Sequence, residues 1–379
     1  MNQNNNYSNT KATLAIAKAS FRSIVRSPSS VVFTLLFPLI FILVFGFIGG
    51  SAVSVDVGVV KGSDTQNPVY QALAKSSVIH LINDQPIDQM NSDLAKGHID
   101  AIINIKKNHD GWTIYPPLSV AKSKPAFTVD VQYTKASAEK DNILKSVLST
   151  IFFRMNQLTS NEPPAIAELK ETTVSGREYK TIDFILPGQL GFSLLSTGVF
   201  GTAFVFLSLR ITLVIKRFFA TPVKRYSIVL GEALARITFA LIGALFIILI
   251  GHYAFDFTLI HGISTVLQML VLSFVGVVIF MGFGFVVSGI AKNESSVPPI
   301  ANIITLPQFL LSGTFFSISV FPTWLQPVCN ALPLTYLNDA MRKIAFEGAS
   351  LLDVGHQLLI LLIWGVIVYS AAVKLFKWE

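Results

Sequence analysis

Charge-free apolar stretches divide this chain. Runs without Asp, Glu, Lys or Arg occupy residues 31–50, 184–209, 237–255, 262–291, 295–338 and 354–373. A helix needs about 20 mostly apolar residues to cross the hydrocarbon core of a bilayer. A Lys, Arg or Asp at mid-membrane costs roughly 2.5–3.5 kcal/mol, so such runs mark the spans. The run 295–338 is too long for one helix and is broken by Pro307, Pro322, Pro327 and Pro333. It predicts a span at about 298–318 and then a re-entrant or interfacial helical segment at about 319–348. The pattern predicts a polytopic α-helical membrane protein with six transmembrane helices.

Residues 51–183 form one hydrophilic insert, long enough for a domain. Polar and apolar positions alternate over 54–60, 99–105 and 127–133, as in half-buried strands. Over 136–158, Ile143, Val147, Ile151 and Met155 recur every four residues, as on a helix face. The insert reads as an extracytoplasmic α/β domain between the first and second spans. The expected partition is a cytoplasmic N-terminal interfacial helix (1–30), a first span (31–50), the domain (51–183), and spans two to six (184–379).

Composition agrees. Of 379 residues, 52% are hydrophobic and 13% charged, against about a quarter charged in soluble domains. The net charge of +7 would point to nucleic acid in a soluble protein. Here its distribution instead reports orientation. Residues 1–30 carry Lys11, Lys18, Arg22 and Arg26 and no acid. Arg210, Lys216, Arg217, Lys224 and Arg225 crowd the connection after the second span, and Lys374 and Lys377 follow the last one. The positive-inside rule places these segments, and both termini, in the cytoplasm. The apolar run 31–50 exceeds the roughly 7–15 residues of a signal-peptide core, so it reads as an uncleaved span. The single cysteine, Cys329, allows no intrachain disulfide.

Catalytic signatures are absent. The chain holds no G-x-x-x-x-G-K-[ST], H-E-x-x-H, paired CxxC or G-x-S-x-G motif. His80, His98 and His109 are irregularly spaced, and His252, His261 and His356 read as interfacial polar groups. No catalytic, cofactor or metal site is expected. Spans nearly free of ionisable groups also argue against a proton- or sodium-coupled transporter. Glu232 and Arg236, four apart on one helix face, can pair. In the second span Gly191, Ser196, Thr197, Gly198 and Gly201 allow close helix approach. Packing within one subunit and a dimer or translocation face are both open for them.

One cytoplasmic stretch stands apart: Lys216-Arg217-Phe218-Phe219-Ala220-Thr221-Pro222-Val223-Lys224-Arg225-Tyr226. Thr221 can cap a helix that starts with Pro222, which predicts a short helix at about 212–220, a sharp turn, and a new helix from 222. The aromatic pair ringed by cations fits either an elbow on anionic lipid or a knob that docks into a soluble partner.

This stretch, with Ile228-Val229-Leu230-Gly231-Glu232 after it, resembles the coupling helix between spans two and three of ABC-2 type transporter permeases, the type V ABC exporter fold. Phe321-Pro322-Thr323-Trp324 and Leu332-Pro333-Leu334-Thr335 through Arg342 resemble that family's segment before the last span. Lys96-Gly97-His98-Ile99-Asp100-Ala101 is similar to a strand entry in the subgroup with an extracytoplasmic domain. The acid that family members often carry just before the coupling helix is missing from Arg210–Ile215. The resemblance implies an exporter subunit in the bacterial cytoplasmic membrane that moves hydrophobic or amphipathic cargo outward. It implies two copies of a separate ATPase, which hold the ATP and magnesium, docked on Lys216–Tyr226 and the N-terminal helix. It also implies a second permease chain and a periplasmic or surface partner for the outer domain. A different class of expectation is a non-transport receptor or assembly protein with residues 51–183 as its recognition domain.

Overall fold

The computed structural model describes residues 8–48, 55–76, 78–83, 85–107, 127–134, 138–157, 167–174, 180–214 and 223–375. The chain divides into two compact units, one of residues 1–49 with 181–379 and one of residues 50–180.

The first unit begins with α1 (Asn9–Val25), which Ser8 caps. Pro28 opens α2 (Pro28–Val31), a π turn follows at Val32–Leu36, and α3 (Phe37–Ile48) completes the segment. Pro38 explains the irregularity. It has no N–H to give to the Thr34 carbonyl four residues back, and Ser193 Oγ donates to that carbonyl instead, at 2.8 Å.

The inserted unit holds β1 (Val55–Val59), α4 (Pro68–Ala74), β2 (Ile79–Ile82), α5 (Ile87–Lys96), β3 (Ala101–Lys107), β4 (Phe127–Thr134), α6 (Ala138–Gln157) and β5 (Ala167–Val174). Its sheet runs β2-β1-β3-β4-β5. Only the β3–β4 pair is antiparallel; β1–β2, β1–β3 and β4–β5 are parallel. Val69, Leu73, Leu144 and Leu148 of α4 and α6 pack on Val55, Val57, Ile103, Val129 and Val131. Met90 and Leu94 of α5 pack with Ile99 and Ile102, so alternate residues of β3 serve two separate cores. Gly97 ends α5 with φ of 75°, the left-handed cap that glycine adopts without strain. The three alternating stretches and the period-four stretch fall on β1, β3, β4 and α6. The sheet edges β2 and β5, and helices α4 and α5, were not expected.

The chain returns to the first unit with α7 (Thr181–Ser196), a π turn at Thr197–Gly201, and α8 (Thr202–Ile211). Then come α9 (Arg225–Phe255), α10 (Ile263–Ile290), α11 (Val297–Leu311), α12 (Gln326–Ala331), α13 (Pro333–Arg342), a π turn at Lys343–Glu347, and α14 (Gly355–Leu375). The core between them is built from residues such as Leu190, Leu194, Ile247, Leu272, Phe280 and Leu337.

The expectation of six transmembrane helices is corrected. Among the described residues four helices are long and apolar enough to cross a membrane: Thr181–Ile211, Arg225–Phe255, Ile263–Ile290 and Gly355–Leu375. Among the described residues the run 31–50 yields a shorter apolar helical stretch, Thr34–Val44. The span expected at 298–318 ends at Leu311 after 15 residues, and Gly313 then turns with φ of 68°. Fifteen residues rise only about 22 Å, short of the roughly 30 Å of hydrocarbon. Absence of charge measured apolarity correctly but carried no information on where helical hydrogen bonding stops.

Candidate functional site

Of the eleven residues expected to dock a partner, Lys216, Arg217, Phe218, Phe219, Ala220, Thr221 and Pro222 lie outside the described residues. The described ends of the connection differ from expectation. α8 stops at Ile211 and Leu213 turns with φ of 56°. α9 starts at Arg225 rather than Pro222, with Lys224 as its extended N-cap. Val223 is half-buried, whereas Lys224, Arg225 and Tyr226 are exposed. Lys224 Nζ lies 5.9 Å from the centre of the Tyr226 ring, a cation–π contact.

The first turns of α9 carry α1. The two pack where Gly231 has no side chain: a Cβ there would lie 2.7 Å from Ile16 Cγ2 and 3.0 Å from the Thr13 carbonyl oxygen. That contact turns Lys11, Leu14, Lys18 and Arg22 outward. Arg210 Nη2 donates to the Ala291 carbonyl and ties the end of α8 to the end of α10. The same end of the bundle therefore gathers α1, the last turns of α8 and α10, and the first turn of α9.

The small residues of the second run face inward. Gly191 is buried, with the Asn338 Oδ1 atom where a Cβ would sit and Leu334 Cδ1 2.8 Å from it. Gly198 is buried against Phe280 Cβ, 2.7 Å from the position of a Cβ. Gly201 faces the Arg236 guanidinium. These three glycines let helices of the same chain approach. Ser196 is half-exposed, and Thr197 shares a 3.0 Å hydroxyl–hydroxyl bond with Thr34.

Sequence reasoning missed a second face. Phe37, Phe41, Phe192, Phe309 and Phe315 stack together although they come from α3, α7, α11 and the turn after α11. Ring centres are 5.3 Å apart for Phe37–Phe192, 4.0 Å for Phe192–Phe309 and 4.8 Å for Phe309–Phe315. Phe41 closes the group on Phe315 at 5.4 Å. All five rings are half-exposed. Gln189, one turn before Phe192, is fully buried, and neither end of its amide finds a partner. No single stretch of sequence signals this cluster, because its members lie up to 278 residues apart.

Arg342 holds the turn after α11 in place. Its Nε and Nη2 donate to the Phe184 carbonyl at 3.1 and 2.9 Å, and Nη2 also donates to the Gly313 carbonyl. The guanidinium lies 3.7 Å from the centre of the Phe184 ring. Asn338, one turn earlier, donates to the Ser312 carbonyl at 3.1 Å. At the start of α7, Asp183 accepts from the Thr258 amide and hydroxyl at 2.8 and 3.1 Å.

Among the described residues no group of three or more His, Cys, Asp or Glu could hold a metal ion. His80 meets Asp56 at 3.1 Å on exposed sheet surface, and His252 and His261 bond backbone carbonyls.

Residues 28–374 match the family model described as ABC-2 family transporter protein. The chain belongs to the ABC-2 transporter family. ABC transporter G family member 20 of Dictyostelium discoideum is 24% identical over 368 residues, covering 95% of this chain and 50% of that protein. A probable multidrug ABC transporter permease, YbhR, of Escherichia coli strain K12 is 24% identical over 157 residues, covering 41% of this chain and 42% of that protein. The chain thus spans half or less of the length of these relatives. Among the described residues, this ABC-2 family chain has four helices long and apolar enough to cross a membrane.

Proposed function

We propose that this chain is the membrane subunit of an ATP-driven exporter and takes its energy from a separate ATPase. The observation that carries the reading is the platform formed by α1 on the start of α9, beside the basic connection that precedes Lys224. Two ATPase copies, holding ATP and magnesium, would dock on Lys216–Tyr226 and on the exposed face of α1, and two permease chains would complete the unit. The cations of α1, Arg210, Lys224 and Arg225 favour the cytoplasm for this end and for both termini, in a bacterial cytoplasmic membrane. The insert, residues 50–180, would then face outward, where it can meet a periplasmic or surface partner.

The cargo face in this reading is the stack of Phe37, Phe41, Phe192, Phe309 and Phe315. It is aromatic and uncharged, and the Gln189 amide lies one turn away. Such a surface suits an apolar body with a polar head. The word "multidrug" in the name of the Escherichia coli relative fits cargo of that kind. ATP-driven closure of the ATPase pair would push the docking platform and shift the helices that carry these rings.

The test is reconstitution with the cognate ATPase. Phe218→Ala with Phe219→Ala should reduce co-purification of the ATPase and leave membrane insertion intact. Unchanged co-purification with unchanged transport would sink the docking role. Binding that instead tracks the anionic lipid content would favour the lipid elbow.

A further inference from the structure

Glu232 and Arg236 have no role in the docking and cargo surfaces described above. Both are nearly fully buried, at 8% and 5% exposure. Buried charges are costly unless their neighbours compensate them, so the groups around this pair show what it is built to hold. Glu232 faces α1, where Ser20 Oγ donates to its Oε1 at 2.5 Å. Arg236 lies one turn further along α9. Its guanidinium rests on Gly201, where a Cβ would lie 3.3 Å from Cζ and closer still to Nη1. The pair therefore touches α1 with one member and the π turn Thr197–Gly201 with the other.

That π turn is also bound from a third side. Thr197 bonds Thr34, which lies in the π turn Val32–Leu36. π turns are rare insertions in α-helices and concentrate at functional sites. A π turn departs from regular i to i−4 bonding, and an element able to take two arrangements is what carries coupling between sites. α9 is continuous helix from Arg225 to Phe255, so displacement at Glu232 is felt at Arg236.

We propose that Glu232 and Arg236 are positioning residues that transmit movement of α1 to the π turn Thr197–Gly201. The inference rests on the reading of α1 as part of the ATPase platform. Ser20 and Glu232 form the input, Arg236 against Gly201 forms the output, and the absence of a side chain at 201 is what admits the guanidinium.

Two measurements test it. The first uses the full chain in detergent and needs no ATPase: amide hydrogen exchange of peptides covering 197–202. Ser20→Ala and Glu232→Gln should each accelerate exchange there roughly tenfold, as expected when one hydrogen bond to a charged group is lost, Arg236→Gln should accelerate it as well, and α14 should keep its wild-type rate. Arg236→Lys should retain most of the protection. Wild-type exchange at 197–202 in all three variants overturns the link. So does a rise spread evenly over the bundle, which marks a purely structural role.

The second uses the complex with its ATPase in proteoliposomes. Arg236→Gln and Gly201→Ala should raise the ATP consumed per molecule exported several-fold, and the double variant should be no worse than either alone. Additive losses, or an unchanged ratio, overturn the proposal. A wild-type chain that captures no ATPase defeats the docking reading, and the exchange experiment then still decides the link itself.

Discussion

Arg342→Ala should be among the most destabilising single changes outside the apolar core. The guanidinium serves two carbonyls, those of Phe184 and Gly313, and stacks on the Phe184 ring at 3.7 Å. A hydrogen bond to a charged group is worth about 1.5–3 kcal/mol, and the lower end applies because Arg342 is half-buried. Counting one such bond per carbonyl and about 0.5–1 kcal/mol for the ring contact gives roughly 3–4 kcal/mol. For 150–250 residues about 1 kcal/mol moves Tm by about 2–4 °C, so the expected drop is roughly 6–16 °C. The protein supplies its own reporter. Cys329 is the sole cysteine and is buried, so a thiol-reactive fluorogenic dye reads unfolding near α12 and α13. Arg342→Lys keeps the charge but not the planar fork, and its Tm should fall between the other two. A Tm for Arg342→Ala within about 2 °C of wild type would refute this account of the turn after α11.

Gly198→Val should disrupt the packing of the π turn Thr197–Gly201 on α10, because a Cβ at 198 would already lie 2.7 Å from Phe280 Cβ. Overpacking of this kind costs about 1–3 kcal/mol, read as a lower Tm in the same dye assay. Phe192→Ala and Phe309→Ala should reduce export of apolar cargo while ATPase co-purification stays intact; equal loss of both would remove the cargo assignment. Ser193→Ala takes the donor from the Thr34 carbonyl, which Pro38 already deprives of its helical partner, and should cost about 1–3 kcal/mol for the buried unpaired group. Asp100→Ala in the inserted unit strips the Asp56 amide of its 2.8 Å acceptor and should accelerate exchange of β1 amides relative to β4 amides.

Much of the fold was legible in local pattern. Four long apolar helices fall within or across charge-free runs, because removing charge from lipid is a property of each residue alone. β1, β3 and β4 followed from alternation, since apolar residues recur at every second position along each. β5, Ala167–Val174, did not: its sequence AELKETTV shows no such alternation, and its partner β4 supplies the order. The span expected at 298–318 failed for a different reason. The helix stops at Leu311 and Gly313 turns the backbone, which an apolarity ruler does not sense.

The candidate site divides in the same way. The basic docking stretch and the Glu232/Arg236 spacing were visible in the sequence, because charge and helical period are local. Whether Gly191 and Gly198 faced another subunit or their own chain was open until Asn338 and Phe280 were seen against them. The five-phenylalanine stack could not be read at all, since its rings meet only when α3, α7 and α11 pack. The sequence by itself determined the long apolar helices, the hydrophilic insert and the basic character of segments 1–30 and 210–225. Tertiary structure decided which polar groups meet: Ser20 with Glu232, Arg236 with Gly201, and Arg342 with the Phe184 and Gly313 carbonyls. The physical reason is range. Transfer free energy and helical period act within a few residues, whereas a hydrogen bond between side chains 212 positions apart exists only once the helices between them have packed.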